Sequence, residues 1–465
     1  MALPIDPWAQ KWLDGEREKG RKGLTIEKRK DGHHYVIWAT THWVPETKKR
    51  RKESEYLGRL MSDGSLVKDW KKGNKITARS VRQEGSALLL KKATDGLLEP
   101  LREYFPGTWE HLIIMAWSRL TGSGTLKNAG REWERLENVL GITASVNPKA
   151  LSGSLKAAGS DPASQIMFGR SLPSAGGEMT VDLSVCFSRS KGAVLLKRGY
   201  NRFALRYPQF KVLLVCSSDT GAPAALLPIP GNLTEGTLAS AAAQIGLGGR
   251  TAVLDRGFAG SPLLDELDAA GADYVVAMDR NSVLYPQVKP GREEFVWMGR
   301  AIRSGRTEIN GRWYYRFEDP LMKNDEKVDS LGSGSRADDD RSGNILICSN
   351  RFMDNEKAYL MYKHRQAAEE FFDSGKNVLN MDRTYMHDDE GIMGHVFVTF
   401  LAMRIRSWIA DKIREAGLTP KYSPEDVILM YSSVFRIRSP DIEIRFDTPA
   451  DVMALDRELK IHLYQ

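Results

Sequence analysis

The stretch YKHRQAAEEFFDSGK, residues 362–376, decides how this chain is read. A helix advances about 100° per residue, so measured from Tyr362 the side chains of Arg365, Glu369 and Lys376 fall at roughly 300°, 340° and 320°. An aromatic hydroxyl, a guanidinium, a carboxylate and an ammonium therefore share one narrow face. Glu370 lands roughly 80° round on the other flank, outside that stripe. If one glutamate of this helix does chemistry, the spacing selects Glu369. An ordinary i,i+4 pair of Arg365 and Glu369 would contribute only a few tenths of a kcal/mol, and it would leave Tyr362 and Lys376 in register for no reason.

Two strand carboxylates extend the pattern. Asp182 stands in MTVDLSVCF on the side opposite Met179, Val181, Leu183 and Val185, so it points away from the apolar face those residues define. Asp255 ends the apolar run TAVLD and is followed by Arg256 and Gly257, at the carboxyl end of a strand, where open α/β sheets place their ligands. Singly, each acid also reads as a cap, a turn residue or a surface charge. Two aspartates on adjacent strands with a glutamate from a packed helix would offer hard oxygen ligands to two divalent cations. Two Mg²⁺ or Mn²⁺ ions about 4 Å apart can activate a water and stabilise the leaving oxygen of a phosphodiester.

Taken together, these residues resemble the DDE transposases of bacterial insertion sequences, in the branch marked by a Tyr-x2-Arg-x3-Glu-x6-Lys signature that residues 362–376 fit position for position. VDLSVCFSRS looks like the segment around that family's first aspartate and VLDRGFAG like the one around its second. LLPIPGNLTE is similar to the stretch between them, and GIMGHVFVTFLAMRI to the closing helix. The likeness runs from about 86 to 410, with YLGRLMSDG near the N-terminus a softer match to one subgroup.

The resemblance implies an α/β fold: an RNase H-like mixed sheet flanked by helices, with a β-rich insertion for which the 114 positions from Asp255 to Glu369 leave room. It implies Asp182, Asp255 and Glu369 as catalytic metal ligands for two Mg²⁺ or Mn²⁺ ions. Tyr362, Arg365 and Lys376 would hold DNA phosphates beside the scissile bond, with Arg256 a further DNA contact. In relatives that excise through a DNA hairpin, an aromatic residue of the insertion holds a flipped base. Trp297 and Trp313 are the candidates here, with packing in the insertion's own core as the alternative for each. The implied activity is cleavage of double-stranded DNA at the element's ends and transfer of the 3′-OH ends to target DNA, by an assembly of at least two subunits, a homodimer. The rivals are another RNase H-like nuclease, such as a junction resolvase, and a DNA-binding regulator derived from a transposase. The regulator's expected mark is a missing carboxylate, and none is missing.

Charge distribution points the same way. Residues 1–82 hold 20 Lys/Arg against 11 Asp/Glu, a net of +9 in a chain whose total is +7. The run KKRRK, which contains Lys48, Lys49, Arg50 and Arg51, lies among Trp38, Trp43, Tyr56 and Trp70. That mixture suits a surface that neutralises phosphates and offers aromatic contacts, although a charge run also serves as a solvated face. The expected organisation is a basic β-rich DNA-binding module (1–82), a helical DNA-binding or connecting domain (86–170), a catalytic core (176–280 and 344–410) around a β-rich insertion (281–343), and a C-terminal helical region (411–465).

Other features narrow the class. Cys186, Cys216 and Cys348 make no CxxC and no paired framework, and each falls in an expected strand as buried filler. VFVTFLAM (396–403) is far shorter than the roughly 20 residues of a membrane span and reads as a core helix. The N-terminus has neither the basic start nor the apolar centre of a signal peptide, so a cytoplasmic, nucleoid-associated protein is expected. His395 reads as a packing or capping residue. Residues 193–200 read as a strand, 234–246 as a helix, and the polar stretch 324–343 as a loop.

Overall fold

The computed structural model describes residues 4–30, 32–44, 49–67, 80–122, 124–172, 177–188, 190, 192–199, 206–218, 220–232, 249–333, 342–365, 383–384, 386–438, 443–445 and 447–464. The chain divides into two compact units, Met1–Ala78 and Arg79–Gln465.

The first unit is a four-stranded antiparallel sheet with one helix. Helix α1 (Pro7–Glu18) starts with Pro at its first position, where a missing N–H costs nothing. The strands β1 (Leu24–Lys28), β2 (His34–Val44), β3 (Lys49–Leu60) and β4 (Leu66–Val67) follow in spatial order β1-β2-β3-β4. Ala9 and Leu13 of α1 pack on Leu24, Ile26, Val36 and Leu60. Gly64 turns the chain between β3 and β4 at φ +85°, a conformation only glycine adopts without strain. His34 is buried, and its Nε2 accepts the Asp6 N–H at 3.2 Å, which makes it a core residue. Two features add detail to the expected basic β-rich module. The start of the chain folds as α1, and the basic run from Lys49 onward is itself strand.

The second unit opens with strand β5 (Ser80–Gln83) and the helices α2 (Glu84–Tyr104), α3 (Trp109–Thr121), α4 (Leu126–Arg135), α5 (Pro148–Gly159) and α6 (Pro162–Ser171). Next come β6 (Glu178–Ser188), β7 (Gln209–Ser217), β8 (Pro223–Pro230) and β9 (Thr251–Leu254), then α7 (Ser261–Ala269) and β10 (Asp273–Ala277). Strands β11 (Glu293–Trp297), β12 (Arg300–Ile309) and β13 (Arg312–Glu318) precede α8 (Pro320–Ser333) and β14 (Asn344–Ser349). A helix α9 is described over 355–365. The chain ends with β15 (Arg383–Thr384), α10 (Asp389–Glu415), α11 (Pro424–Tyr431), β16 (Phe435–Arg438), β17 (Glu443–Arg445) and α12 (Ala450–Glu458).

One large mixed sheet organises this unit, in the order β11-β12-β13-β14-β10-β9-β6-β7-β8. Strands β6, β9 and β10 run parallel, β7 and β8 extend them antiparallel on one side, and β14 on the other. Because successive strand residues point to opposite faces, β6 presents Met179 and Val181 to one core and Cys186 to another. The first face is covered by Leu263, Leu264 and Leu267 of α7. The second is covered in two halves: α9 lies over β10, β14 and β13 with Ala358, Tyr359 and Met361, and α10 with the helical bundle lies over β6, β7 and β8.

Three expectations are corrected here, and VFVTFLAM is a core helix, as expected, within a longer one. Residues 193–199 make no strand, only one isolated bridge from Lys197 to Gln209, because the Asp389 carboxylate accepts the N–H groups of Val194 and Leu195 at 3.1 and 3.0 Å. The polar stretch read as loop from 324 is helical through Ser333. The region 411–465 is not all helical, since β16 pairs with β17 on one side and β5 on the other in a small separate sheet. VFVTFLAM belongs to a 27-residue helix that is long and apolar enough to cross a membrane, yet 78% of its most apolar window is buried inside the fold. All three cysteines are buried in β6, β7 and β14, and the expected helix 234–246 lies outside the described residues.

Helix α10 is held in its N-terminal half by a buried polar group. Arg119 of α3 donates from Nη2 to His395 Nδ1 at 2.9 Å and from Nη1 to Thr399 Oγ1. A guanidinium only donates, so His395 must be the neutral acceptor. Burial pushes Arg119 down to about 9, and burial together with the Arg119 charge holds His395 well below its ordinary 6.5. A histidine whose folded pKa is depressed adds stability that is present above about pH 6.5 and is lost as pH falls below it. The melting temperature is therefore expected to drop between pH 7.5 and pH 5.5, and to drop less in His395→Gln, whose amide oxygen can still accept from Arg119. Equal pH dependence in the two proteins would refute this.

Candidate active site

The parallel pairing of β6 and β9 sets Met179 against Ala252, Thr180 against Val253 and Val181 against Leu254. The same register carried one residue further sets Asp182 level with Asp255, which directly follows β9, and neighbouring strands lie about 4.8 Å apart. Both aspartates point to the face opposite Met179, Val181 and Leu254, as the alternation of MTVDLSVCF predicts. Asp182 is half-buried there, and its charge, after burial itself, helps hold the Cys216 thiol protonated on the adjoining strand β7. The aspartates thus occupy the seam where the two helical coverings of one sheet face meet.

The signature helix reaches that seam. Asp354 precedes α9, its carbonyl accepting the Ala358 N–H at 3.0 Å, and the helix runs across the sheet with Tyr359 buried against Phe295 and Phe317. Tyr362 is 9% exposed and lies in the same core. At the far end Arg365 Nη1 stands 3.3 Å from Asp255 Oδ1, with side chains 14% and 43% exposed, and its guanidinium lies 5.2 Å from the Tyr362 ring. The guanidinium is held from below by an aromatic face while one edge addresses a carboxylate. This ion pair could not be read from the sequence, because it joins residues 110 positions apart.

Of the remaining candidates, Arg256 lies in the short turn after β9, and its charge acts on Tyr285 and Glu326. Trp297 packs edge-on against Tyr359, ring centroids 5.5 Å apart, and Lys363 lies 5.0 Å over it. Trp313 packs against Phe352 at 4.9 Å. Both rings therefore have packing partners within this unit. Lys49, Arg50 and Arg51 are exposed on β3 of the first unit. Lys48, Glu369, Glu370 and Lys376 lie outside the described residues. Among the described residues no three His, Cys, Asp or Glu side chains cluster as a metal site. Asp182 and Asp255 supply the two carboxylates that could begin one.

Comparison with known proteins gives one domain match and one structural likeness. Residues 183–405 match the Transposase DDE domain family. The matched segment opens one residue after Asp182 and takes in Asp255 and the whole of 362–376. No curated protein matches the chain. Among solved structures, the cryo-EM structure of a piggyBac transposase synaptic complex with hairpin DNA is similar at 10% identity and a TM-score of 0.42, over 77% of this chain and 81% of that one.

Proposed function

We propose that the chain is a DDE transposase of the insertion-sequence branch, which binds the ends of its element, cuts them and joins the freed 3′-OH ends to target DNA. The observation that carries this is the placement of Asp182 and Asp255, each one residue beyond the paired Val181 and Leu254 of adjacent parallel strands, with Arg365 of α9 addressing Asp255. The family match over 183–405 supports it. So does the strand order β8-β7-β6-β9-β10, three antiparallel strands followed by two parallel ones, which is the arrangement an RNase H-like core requires.

Two acceptor-only carboxylates side by side, one already facing a cation, are a donor set that suits Mg²⁺ or Mn²⁺. When bound, such ions would lower the pKa of water and stabilise charge on phosphoryl oxygens. Asp182, Asp255 and Glu369 would hold them. Arg365, fixed by Tyr362 and Asp255, would bind a non-bridging phosphate oxygen and orient the scissile phosphodiester, with Tyr362 and Lys376 on neighbouring phosphates. Hydrolysis breaks one phosphodiester and leaves a 3′-OH. In the second step that hydroxyl displaces a 3′ oxygen of the target, so one phosphodiester forms as another breaks and no external energy source is required. Cutting two ends together calls for two subunits, acting where the DNA lies, at the nucleoid.

The test uses duplexes bearing the DNA that flanks the gene, a supercoiled plasmid target and Mg²⁺. The expected products are ends with a free 3′-OH and their covalent insertion into the plasmid. Nicking without insertion would replace the proposal with a nuclease, and binding without nicking with a regulator.

A further inference from the structure

The hairpin β2–β3 outgrows its sheet. Strand β1 pairs with β2 only as far as Trp38, and β4 pairs with β3 only at Arg59 and Leu60. From Ala39 to Val44, paired with Ser54 down to Lys49, the ribbon is two strands alone among the described residues. Six residues per strand carry it about 20 Å beyond the sheet.

Its two sides differ in charge. Cross-strand partners share a face, so Thr41 with Lys52 and Trp43 with Arg50 stand on one side, while Thr40 with Glu53 and His42 with Arg51, and Lys49 beyond them, stand on the other. The first side has no carboxylate along the free ribbon. The second carries Glu53, with His42 Nδ1 3.9 Å from it, and Glu55 opposite Trp38 at its base. Trp43 is 57% exposed, a large apolar ring held beside a guanidinium at the ribbon's end. The same side continues toward the sheet through Tyr56 and Tyr35, ring centroids 6.0 Å apart, with Arg29 4.4 Å over Tyr35, and Glu27 enters only at this root.

We propose that this ribbon is a one-sided probe for duplex DNA: the side bearing Trp43, Arg50 and Lys52 meets the phosphates and groove, and the side bearing Glu53 and Glu55 faces away. A two-stranded ribbon fits the major groove, which is about 12 Å wide. Two cations beside an exposed indole, with no acid among them, suit a polyanion that also offers flat bases at a groove edge. The inference rests on the transposase reading for its choice of DNA.

The test compares the full-length wild-type chain with two double variants, Arg50→Gln/Lys52→Gln and Lys49→Gln/Arg51→Gln, binding a random 40-base-pair duplex at several salt concentrations. Each lost phosphate contact lowers the slope of log affinity against log salt by about 0.9. The first variant should lose nearly 2 from that slope and on the order of 10- to 100-fold in affinity at 0.1 M salt. The second, which removes the same charge, should lose less than half as much. Trp43→Ala should weaken binding with the slope unchanged. Equal losses from both sides, no loss from either, or tighter binding of single-stranded RNA than of duplex would overturn the proposal. Melting curves of these exposed-site variants should match wild type. Because the transposase reading is tested by metal-dependent cutting and joining, a ribbon that fails here leaves that reading standing.

Discussion

Replacing Asp182 or Asp255 by Asn should abolish Mg²⁺-dependent cleavage of end DNA while leaving duplex binding within a few-fold of wild type. Each substitution removes one acceptor charge and almost no volume, at positions that follow the paired Val181 and Leu254 of two parallel strands, Asp182 within β6 and Asp255 just past the end of β9. Losing a residue that merely orients a metal ligand costs 10- to 100-fold, so losing a ligand itself should cost on the order of 100-fold or more in rate. Glu369→Gln should behave the same way and Glu370→Gln should remain active. Cleavage gels report the first effect and fluorescence anisotropy with labelled duplex the second. An Asp182→Asn protein that still cuts in Mg²⁺ would remove this aspartate from the chemistry, and an active Glu369→Gln beside a dead Glu370→Gln would reverse the helix-face assignment.

The second large effect concerns folding. Helices α5 and α10 touch backbone to backbone at two glycines. A Cβ on Gly394 would lie 2.0 Å from the Leu155 carbonyl oxygen, and one on Gly159 would lie 1.8 Å from that of Glu390. Carbonyl oxygens of two helices cannot swing aside as a side-chain end can, so Gly394→Ala must push the helices apart. Overpacking of this kind costs roughly 1–3 kcal/mol, or a fall of roughly 1–4 °C in melting temperature for a unit as long as Arg79–Gln465. Gly153 on the same helix α5 has nothing within 4 Å of a built Cβ. Gly153→Ala should therefore gain roughly 0.5–1 kcal/mol from helix propensity. Scanning calorimetry of the two variants should move in opposite directions, and a neutral Gly394→Ala would show that the contact is looser than its distances indicate.

Much of the candidate site was legible because its logic is local. Period 2 in MTVDLSVCF put Asp182 opposite Met179 and Val181, and the structure has it there. Helical periodicity put Tyr362 and Arg365 on a buried face, and they are 9% and 14% exposed. What stayed hidden was non-local. Nothing in the spacing of Asp182 and Asp255 tells that their strands are neighbours in register, and nothing in KHRQ announces a partner at Asp255. Residues 193–199 misled because β-prone leucines and valine were outcompeted by a carboxylate 195 positions away. Residues 324–333 have the polar composition of a loop, yet they continue the helix that starts at Pro320.

The insertion read from the sequence as a separate β-rich block turns out to share hydrogen bonds with the central sheet, from β11 through β13 and β14 to β10. It is therefore not a detachable module. Excising 293–318 would strip β14 of one neighbour along its whole length, Asn344 to Ser349, and leave a raw edge two strands from Asp255. Conversely, a sideways load applied to β12 is carried along the same ladder to the strand that ends in that aspartate. The outer strands are a beam built into the wall that holds the acids, so this region and the site should stiffen, loosen and melt as one.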